Sequence, residues 1–446
     1  VKGLKARTPT QPTSRTLVLE SVSGLRGVYG SDLTEEYVRT WSSKFATFTR
    51  GATIAVGCDT RPSSAALLQT VIFGLLSGGC RVQSLGLVTS PELFRYVRVN
   101  ELRGGIMVTA SHNPPQWNGL KFIVAPGRGV YQDELERIRE AKQKVGEGSI
   151  VMAGPSTYYD DIVNIEGPGC VRGVKVAVDP GGGSGCKAIP QTLVSLGADV
   201  RGVNLKAGIF NRLLDPTEDR LSELVRLVVN EKCDIGFAFD GDADRLVVMD
   251  GRGRKLSADT VLCLTALLVA APGMKVVLSV DTSSAVSEIV KERGGEVVMA
   301  QVGEANVVRS IISTSSSLGG EGSSGGAIFP DFNYCRDGLL AAAKIAKALN
   351  GQTLERLLSK VPEHHLLREK VPMSVGAMTI AMKALALRFP DAQTLDGLRV
   401  DFGKAWMLFR PSRTEEAMRI SVEAKTEEEA KELMEEARAA LREAAR

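Results

Sequence analysis

Three stretches of the chain follow one plan, and that repetition constrains the fold more than any other feature. "TIAVGCDTRPSS" (53–64), "VKVAVDPGGGSG" (174–185) and "KVVLSVDTSSAV" (275–286) are apolar runs that reach an aspartate, Asp59, Asp179 or Asp281, and pass through a Gly/Ser/Pro turn into a helical pattern. A glycine then precedes a second apolar run, in "SGGCRVQSLGL", "SLGADVRGVNL" and "RGGEVVMAQVG". This is a β-α-β opening met three times. The copies lie roughly a hundred residues apart, far beyond solenoid periods, so the repeated unit is a domain. The 446 residues also exceed what one hydrophobic core holds. The expected fold class is α/β: three tandem α/β domains of similar topology plus a smaller C-terminal α+β domain around a central cleft. The expected divisions are 1–153, 154–256, 257–368 and 369–446, the last ending in the Ala/Glu-rich helix "TEEEAKELMEEARAALREAAR".

Composition narrows the partners. A net charge of +3, aromatics at 5% and no dense Lys/Arg stripe give no case for nucleic acid. No apolar run is long enough to cross a membrane, and "VKGLKARTPTQPTSRT" lacks the apolar core of a secretory signal, so a cytoplasmic protein is expected. The seven cysteines are scattered singly without CxxC spacing, which predicts packed thiols rather than a zinc site.

Each repeat carries a later segment that runs into an unusual loop: "GGIMVTASHNP", "CDIGFAFDGDADR" and "SLGGEGSSGGAIFP". In the first, Pro114, Pro115 and Gly119 forbid a helix or continued ladder, which leaves Ser111 on a loop at a strand's carboxyl end. Ligands bind there in α/β proteins, although a plain tight turn would also use Ser and Asn. In the second, Asp240, Asp242 and Asp244 alternate, with Gly241 and Ala243 keeping bulk away. Such carboxylates repel one another unless a hard cation, Mg²⁺ or Ca²⁺, sits among them; the alternative is a solvated acidic turn. An EF-hand fails, because Arg245 and Gly251 stand where it needs Gly and Glu. A "DxDxT" phosphatase is a weak match, with Asp244 in the fifth place. "GGGSGCKA" is no dinucleotide site, since "ADVRGVNL" ends without the acidic residue that binds a ribose.

These loops, together with "SGLRG" around Arg26, "GCDTRPSS" and "RPSRTEEAMR" (410–419), occur in the order seen in α-D-phosphohexomutases, the family of phosphoglucomutase and phosphomannomutase, in an archaeal-like form. The resemblance covers nearly the whole chain. It implies that Ser111 carries a phosphoryl group, which completes the shell of one Mg²⁺ with Asp240, Asp242 and Asp244. It implies Lys121, Arg26 and His112 as catalytic neighbours, with Lys121 the first candidate for proton transfer and His112 the second. Arg245 closes the metal loop. Glu321, with Ser323 or Ser324, corresponds to the loop that holds sugar hydroxyls, and Glu304 stands where some relatives carry a histidine and others an aspartate. Arg410, Ser412, Arg413, Thr414 and Arg419 match the loop for the non-reacting phosphate. His364 and His365, after Pro362, read as exposed structural residues. The implied reaction exchanges hexose 1-phosphate and hexose 6-phosphate, for glucose and/or mannose, with a hexose 1,6-bisphosphate as intermediate and activator. Phosphoglucosamine is the alternative sugar, and a phosphate-monoester hydrolase the alternative class. The partners implied are small-molecule sugar phosphates, with the oligomeric state left open.

Overall fold

The computed structural model describes residues 18–323, 325–412 and 415–445. Ser324, Arg413 and Thr414, three of the expected substrate contacts, lie outside the described residues.

The repeat seen in the sequence is a repeat of topology. In the first unit the strands run in the spatial order Arg81–Leu87, Thr53–Cys58, Gly104–Val108, Trp117–Val124. The second has Asp199–Gly202, Lys175–Asp179, Ile235–Phe239, Leu246–Asp250, and the third Glu296–Ala300, Lys275–Ser279, Leu318–Glu321, Gly326–Ile328. In all three the first three strands are parallel and the last turns back antiparallel. The central strands are buried along their whole length, as sheets covered on both faces require. The first sheet is extended on one side by Gly24–Val28 and Leu19–Ser21, and on the other by Ser149–Ile150.

This topology sets the three chemical loops in equivalent places. Cys58 pairs with Val108, Asp179 with Ala238 and Leu278 with Gly320, so each third strand ends beside the aspartate turn of its first strand. The hairpin back to the antiparallel strand then carries Ser111 or Asp240, and in the third unit it starts at Glu321, the last residue of the strand.

The remainder is a four-stranded antiparallel sheet in the order His365–Pro372, Ala417–Ala424, Trp406–Pro411, Leu398–Asp401. His365–Pro372 is drawn in by its ladder with Ala417–Ala424, so this sheet starts ahead of the expected division at 368/369. Two helices, Val375–Arg388 and Glu427–Ala444, pack against one another. The second starts at the capping Thr426 with Glu427, Glu428 and Glu429 in its first turn, where they favour the positive end of the helix dipole. It buries Ala430, Met434, Ala437 and Leu441, a 3.6-residue stripe.

The second and third units share one continuous core that runs from Tyr158 and Phe237 to Leu278 and Leu357, while the first and fourth have cores of their own. The seven cysteines are free, all buried except the half-buried Cys170. Among the described residues no helix is long and apolar enough to cross a membrane.

Candidate active site

Ser111 is fully buried and holds a left-handed backbone, φ 52°. For a residue other than glycine that conformation persists only where its surroundings impose it. Here the Ser111 amide donates to Thr109 Oγ1 (2.8 Å), and Arg61 donates to the Ser111 carbonyl (2.7 Å). The hydroxyl is thereby aimed across the unit boundary at the metal loop, donating to Asp240 Oδ2 at 2.8 Å. Gly241 is required at this crossing, because a Cβ there would stand 2.9 Å from the Ser111 carbonyl oxygen.

Asp240, Asp242 and Asp244 are all buried, with one ligand atom from each inside a 4.8 Å cluster. Lys121, on the antiparallel strand of the first unit, reaches Asp242 at 2.6 Å and Asp244 at 2.7 Å. Ser90 donates to Asp242 at 2.5 Å, and Arg336 donates to Asp244 at 3.0 Å. Yet Oδ1 of Asp242 and Oδ1 of Asp244 are buried without a hydrogen-bond partner. Buried carboxylate oxygens left in that state are costly, and a hard cation is the partner they suit. The residues present therefore fit Mg²⁺.

The electrostatics separate the three carboxylates. Burial, then repulsion from Asp244 and Asp242, pushes Asp240 well above the usual carboxylate range, and Asp240 is the one that accepts from the serine. Burial acts on Asp242 too, but Lys121 holds it below the usual value. Asp244 is held well below against the same burial, by Arg336 first and then by Lys121 and Arg245.

Lys121, the first candidate for proton transfer, is ion-paired with two of the carboxylates. Desolvation lowers its pKa, but Asp242 and Asp244 outweigh that and raise it. It acts as a cation that offsets the carboxylate charge. His112 is the neutral group beside the serine: burial, then Arg245 and Arg26, bring its pKa down to about 2. Arg245 approaches its Nε2 at 3.4 Å, which places the imidazole proton on Nδ1, 3.3 Å from Ser111 Oγ. Half-buried Arg26 donates to Asn113 at 2.9 Å, and desolvation lowers it to about 10, still charged at neutral pH. Arg245 also holds Asp215 at 2.8 Å and donates its amide to Asp240 Oδ1 at 3.1 Å.

The third unit joins through Arg336, which the sequence reading missed. Arg336 is 9% exposed, and its guanidinium pairs with Asp244 (3.0 Å), Glu304 (3.0 Å) and Glu321 (3.7 Å). It thus ties the metal loop to the sugar loop. Glu321 also accepts the Gly303 amide at 2.6 Å, while Ser323 is exposed. Asp215, Arg61 and Ser90 were missed as well; only Arg61 lay in a motif already singled out, "GCDTRPSS".

Arg410 and Arg419 are directly opposite in one ladder, and Lys370 is opposite Arg419 in the next, so three cations share a row on one face. Like charges set opposite are unfavourable without an anion. Glu415 supplies one, pairing with Lys370 and, at 3.2 Å, with Arg419. The amide of half-buried Ser412 donates to the Ala417 carbonyl at 2.9 Å. His364 differs from expectation: its side chain is 2% exposed, set 3.0 Å from Glu288 and 3.4 Å from Glu423 where the third and fourth units meet.

A buried serine facing a carboxylate triad and cations, on repeated α/β units, suits phosphoryl transfer. Residues 19–148, 156–253 and 257–365 match the family descriptions "Phosphoglucomutase/phosphomannomutase, alpha/beta/alpha domain" I, II and III, and 366–440 match that family's C-terminal domain. The chain belongs to the phosphoglucomutase/phosphomannomutase family, the α-D-phosphohexomutases, and is an intramolecular phosphotransferase. It is 35% identical to a protein of Methanopyrus kandleri named "Probable phosphoglucosamine mutase", over 93% of this chain and 95% of that one. A Thermococcus gammatolerans protein of the same name is also 35% identical, over 95% of this chain and 98% of that one. The crystal structure of a phosphoglucomutase/phosphomannomutase family protein from Burkholderia thailandensis superposes with a TM-score of 0.84 at 27% identity, covering 95% of this chain and 96% of that one.

Proposed function

We propose that the chain interconverts the 1- and 6-phosphates of a hexose through a phosphorylated Ser111, and that the hexose is an amino sugar. One observation carries the first half: Ser111 Oγ lies 2.8 Å from Asp240, inside a triad whose other two members each hold an unpartnered oxygen. The serine oxygen gives its phosphoryl group to the free hydroxyl of the sugar phosphate. The bisphosphate turns over, and its other phosphate returns to Ser111. Asp240, Asp242 and Asp244 would hold Mg²⁺, which when bound supplies positive charge to the serine phosphate and the transferring phosphoryl group. Lys121 and Arg26 add cations, and His112 Nδ1, 3.3 Å from Ser111 Oγ, can hydrogen-bond the serine oxygen. Arg410, Ser412 and Arg419 hold the phosphate that does not react.

The choice of sugar rests on the wall beyond Arg336. Burial raises the pKa of Glu321 against the pull of Arg336, with Asp281 and Glu304 repelling it, and the one guanidinium of Arg336 is shared between Glu304 (3.0 Å) and Glu321 (3.7 Å). An ammonium group at C2 would relieve that repulsion; a hydroxyl would not. The names of the Methanopyrus and Thermococcus relatives point the same way, and the glucose or mannose preference expected from motifs alone becomes the second reading.

The deciding assay supplies glucosamine, glucose and mannose 1-phosphates separately, with Mg²⁺ and the matching bisphosphate, and identifies products. The expected result is 6-phosphate formation with the highest kcat/KM for glucosamine 1-phosphate, and one added phosphoryl on the protein by intact mass. Free phosphate as the main product would establish the hydrolase instead. A higher kcat/KM for glucose or mannose would overturn the amino-sugar assignment alone.

A further inference from the structure

Two of the repeated units carry the same device behind their chemical loops. In the first, the buried pair Asp59 and Arg61 (2.9 Å) sits at the end of the first strand. Arg61 then spreads across the serine loop, donating to the carbonyls of Ser111 (2.7 Å), Asn113 (2.7 Å), Pro114 (2.6 Å) and Trp117 (3.0 Å). Asp59 also accepts from Thr109 at 2.7 Å, and Thr109 in turn accepts the Ser111 amide. In the second, Arg212 comes from a different part of the chain yet pairs with the topologically equivalent Asp179 at 3.0 Å. It donates to the carbonyl of Phe239 at 2.7 Å, the residue before Asp240. Both arginine side chains are almost wholly buried, and the bonds they make to the two chemical loops go to backbone carbonyls, Ser111 among them, rather than to the Ser111 hydroxyl or the aspartate carboxylates.

We infer that Arg61 and Arg212 are positioning residues: each braces the backbone of one chemical loop against the aspartate of its own unit, Arg61 fixing the strained Ser111 and Arg212 fixing Asp240. The inference rests on the phosphoserine reading for what Ser111 does, but the brace itself is geometric. A planar guanidinium can meet a carboxylate with one edge and several carbonyls with the others; an ammonium cannot span them. Ser111 gains its φ of 52° from this brace rather than from its own preference. Loss of the brace would let the oxygen drift from its line to the phosphoryl group while the sugar-phosphate contacts elsewhere persist.

The test is Arg61→Lys, read by steady-state kinetics and by the time course of phosphoryl loading onto Ser111 from a hexose bisphosphate, followed by intact mass. The expected result is KM within about twofold of wild type, with kcat and the loading rate both lowered about a hundredfold. A folded Arg61→Lys protein that loads at the wild-type rate overturns the brace. Arg212→Lys gives an independent reading by Mn²⁺ titration in electron paramagnetic resonance, where the dissociation constant should rise about tenfold. Unchanged Mn²⁺ affinity overturns the brace in the second unit, and this arm decides the matter if Arg61→Lys fails to fold. A wild-type protein that takes up no phosphoryl at all would sink the phosphoserine reading, while the Mn²⁺ result would still judge the brace.

Discussion

Replacing Arg336 by leucine should unsettle two units at once. Arg336 is the cation shared by Asp244 of the metal loop and by Glu304 and Glu321 of the third unit. Removing one partner of a buried ion pair costs about 3–5 kcal/mol, most of it from the charge left behind. Asp244 keeps Lys121 at 2.7 Å, so the lower end applies, about 3 kcal/mol. The second and third units share the core from Tyr158 to Leu357, and for a cooperative body of that size the loss lowers Tm by roughly 6–12 °C. The sign with pH follows from Asp244, whose native pKa lies well below its unfolded value. Its share of the stability is complete above about pH 4 and fades as pH falls toward the native pKa, so the gap between wild type and variant should narrow only in acid. Calorimetry at pH 7 measures the loss, and a double-mutant cycle with Asp244→Asn isolates the pair. The double variant should lose less than the sum of the singles, by about 1–3 kcal/mol. An unchanged Tm, or effects that add within about 0.5 kcal/mol, would refute the account of Arg336 as the link between the two loops.

Three further outcomes follow from the site. Ser111→Ala should abolish isomerisation and prevent phosphoryl uptake by intact mass, while circular dichroism and sugar-phosphate binding persist; full activity would end the phosphoserine assignment. Asp242→Asn should lower Mg²⁺ affinity and turnover together, measured by metal titration and initial rates, since it removes one negative ligand from a hard-cation site. Arg410→Ala should raise KM about tenfold or more for both the 1-phosphate and the 6-phosphate, about 1.4 kcal/mol, with Ser111 still phosphorylated. A KM unchanged for both isomers would place the non-reacting phosphate elsewhere.

What the residues made legible were features that local chemistry enforces. Apolar runs ending on Asp59, Asp179 and Asp281 announced the first strands, and breakers after Ser111 announced a loop. Alternating aspartates spaced by Gly241 and Ala243 announced a cation site. What stayed hidden depends on distance in sequence. Arg336 meets Asp244 from 92 residues away, and nothing in "YCRDGLL" signals it. Lys121 was found as a basic neighbour of the serine, but its ion pairs with Asp242 and Asp244 follow only from the fold that brings them together. His364 looked like a boundary residue after a proline; its burial follows from the fourth sheet docking on the third unit, through contacts such as Trp406 with Ser284 and Arg399 with the Val280 carbonyl. The row of Lys370, Arg419 and Arg410 was half legible, since Arg410 and Arg419 share a motif but Lys370 joins them only through strand register.

The core shared by the second and third units bears on how the chain is born. Helix Gly338–Ala348 of the third unit packs against helix Tyr158–Glu166 and strands Ile235–Phe239 and Leu246–Asp250 of the second. As the ribosome delivers the polypeptide, the first unit has the larger of its two cores complete once Ile138 has emerged, the smaller one also taking in Cys335. The second unit does not: at about 5–20 residues per second it waits several seconds or more for that helix, with apolar surface uncovered. That interval is when a nascent chain of this architecture most needs shelter from its neighbours, and it makes the stretch between Asp250 and Gly338 the place where slow or fast codons would matter most to yield.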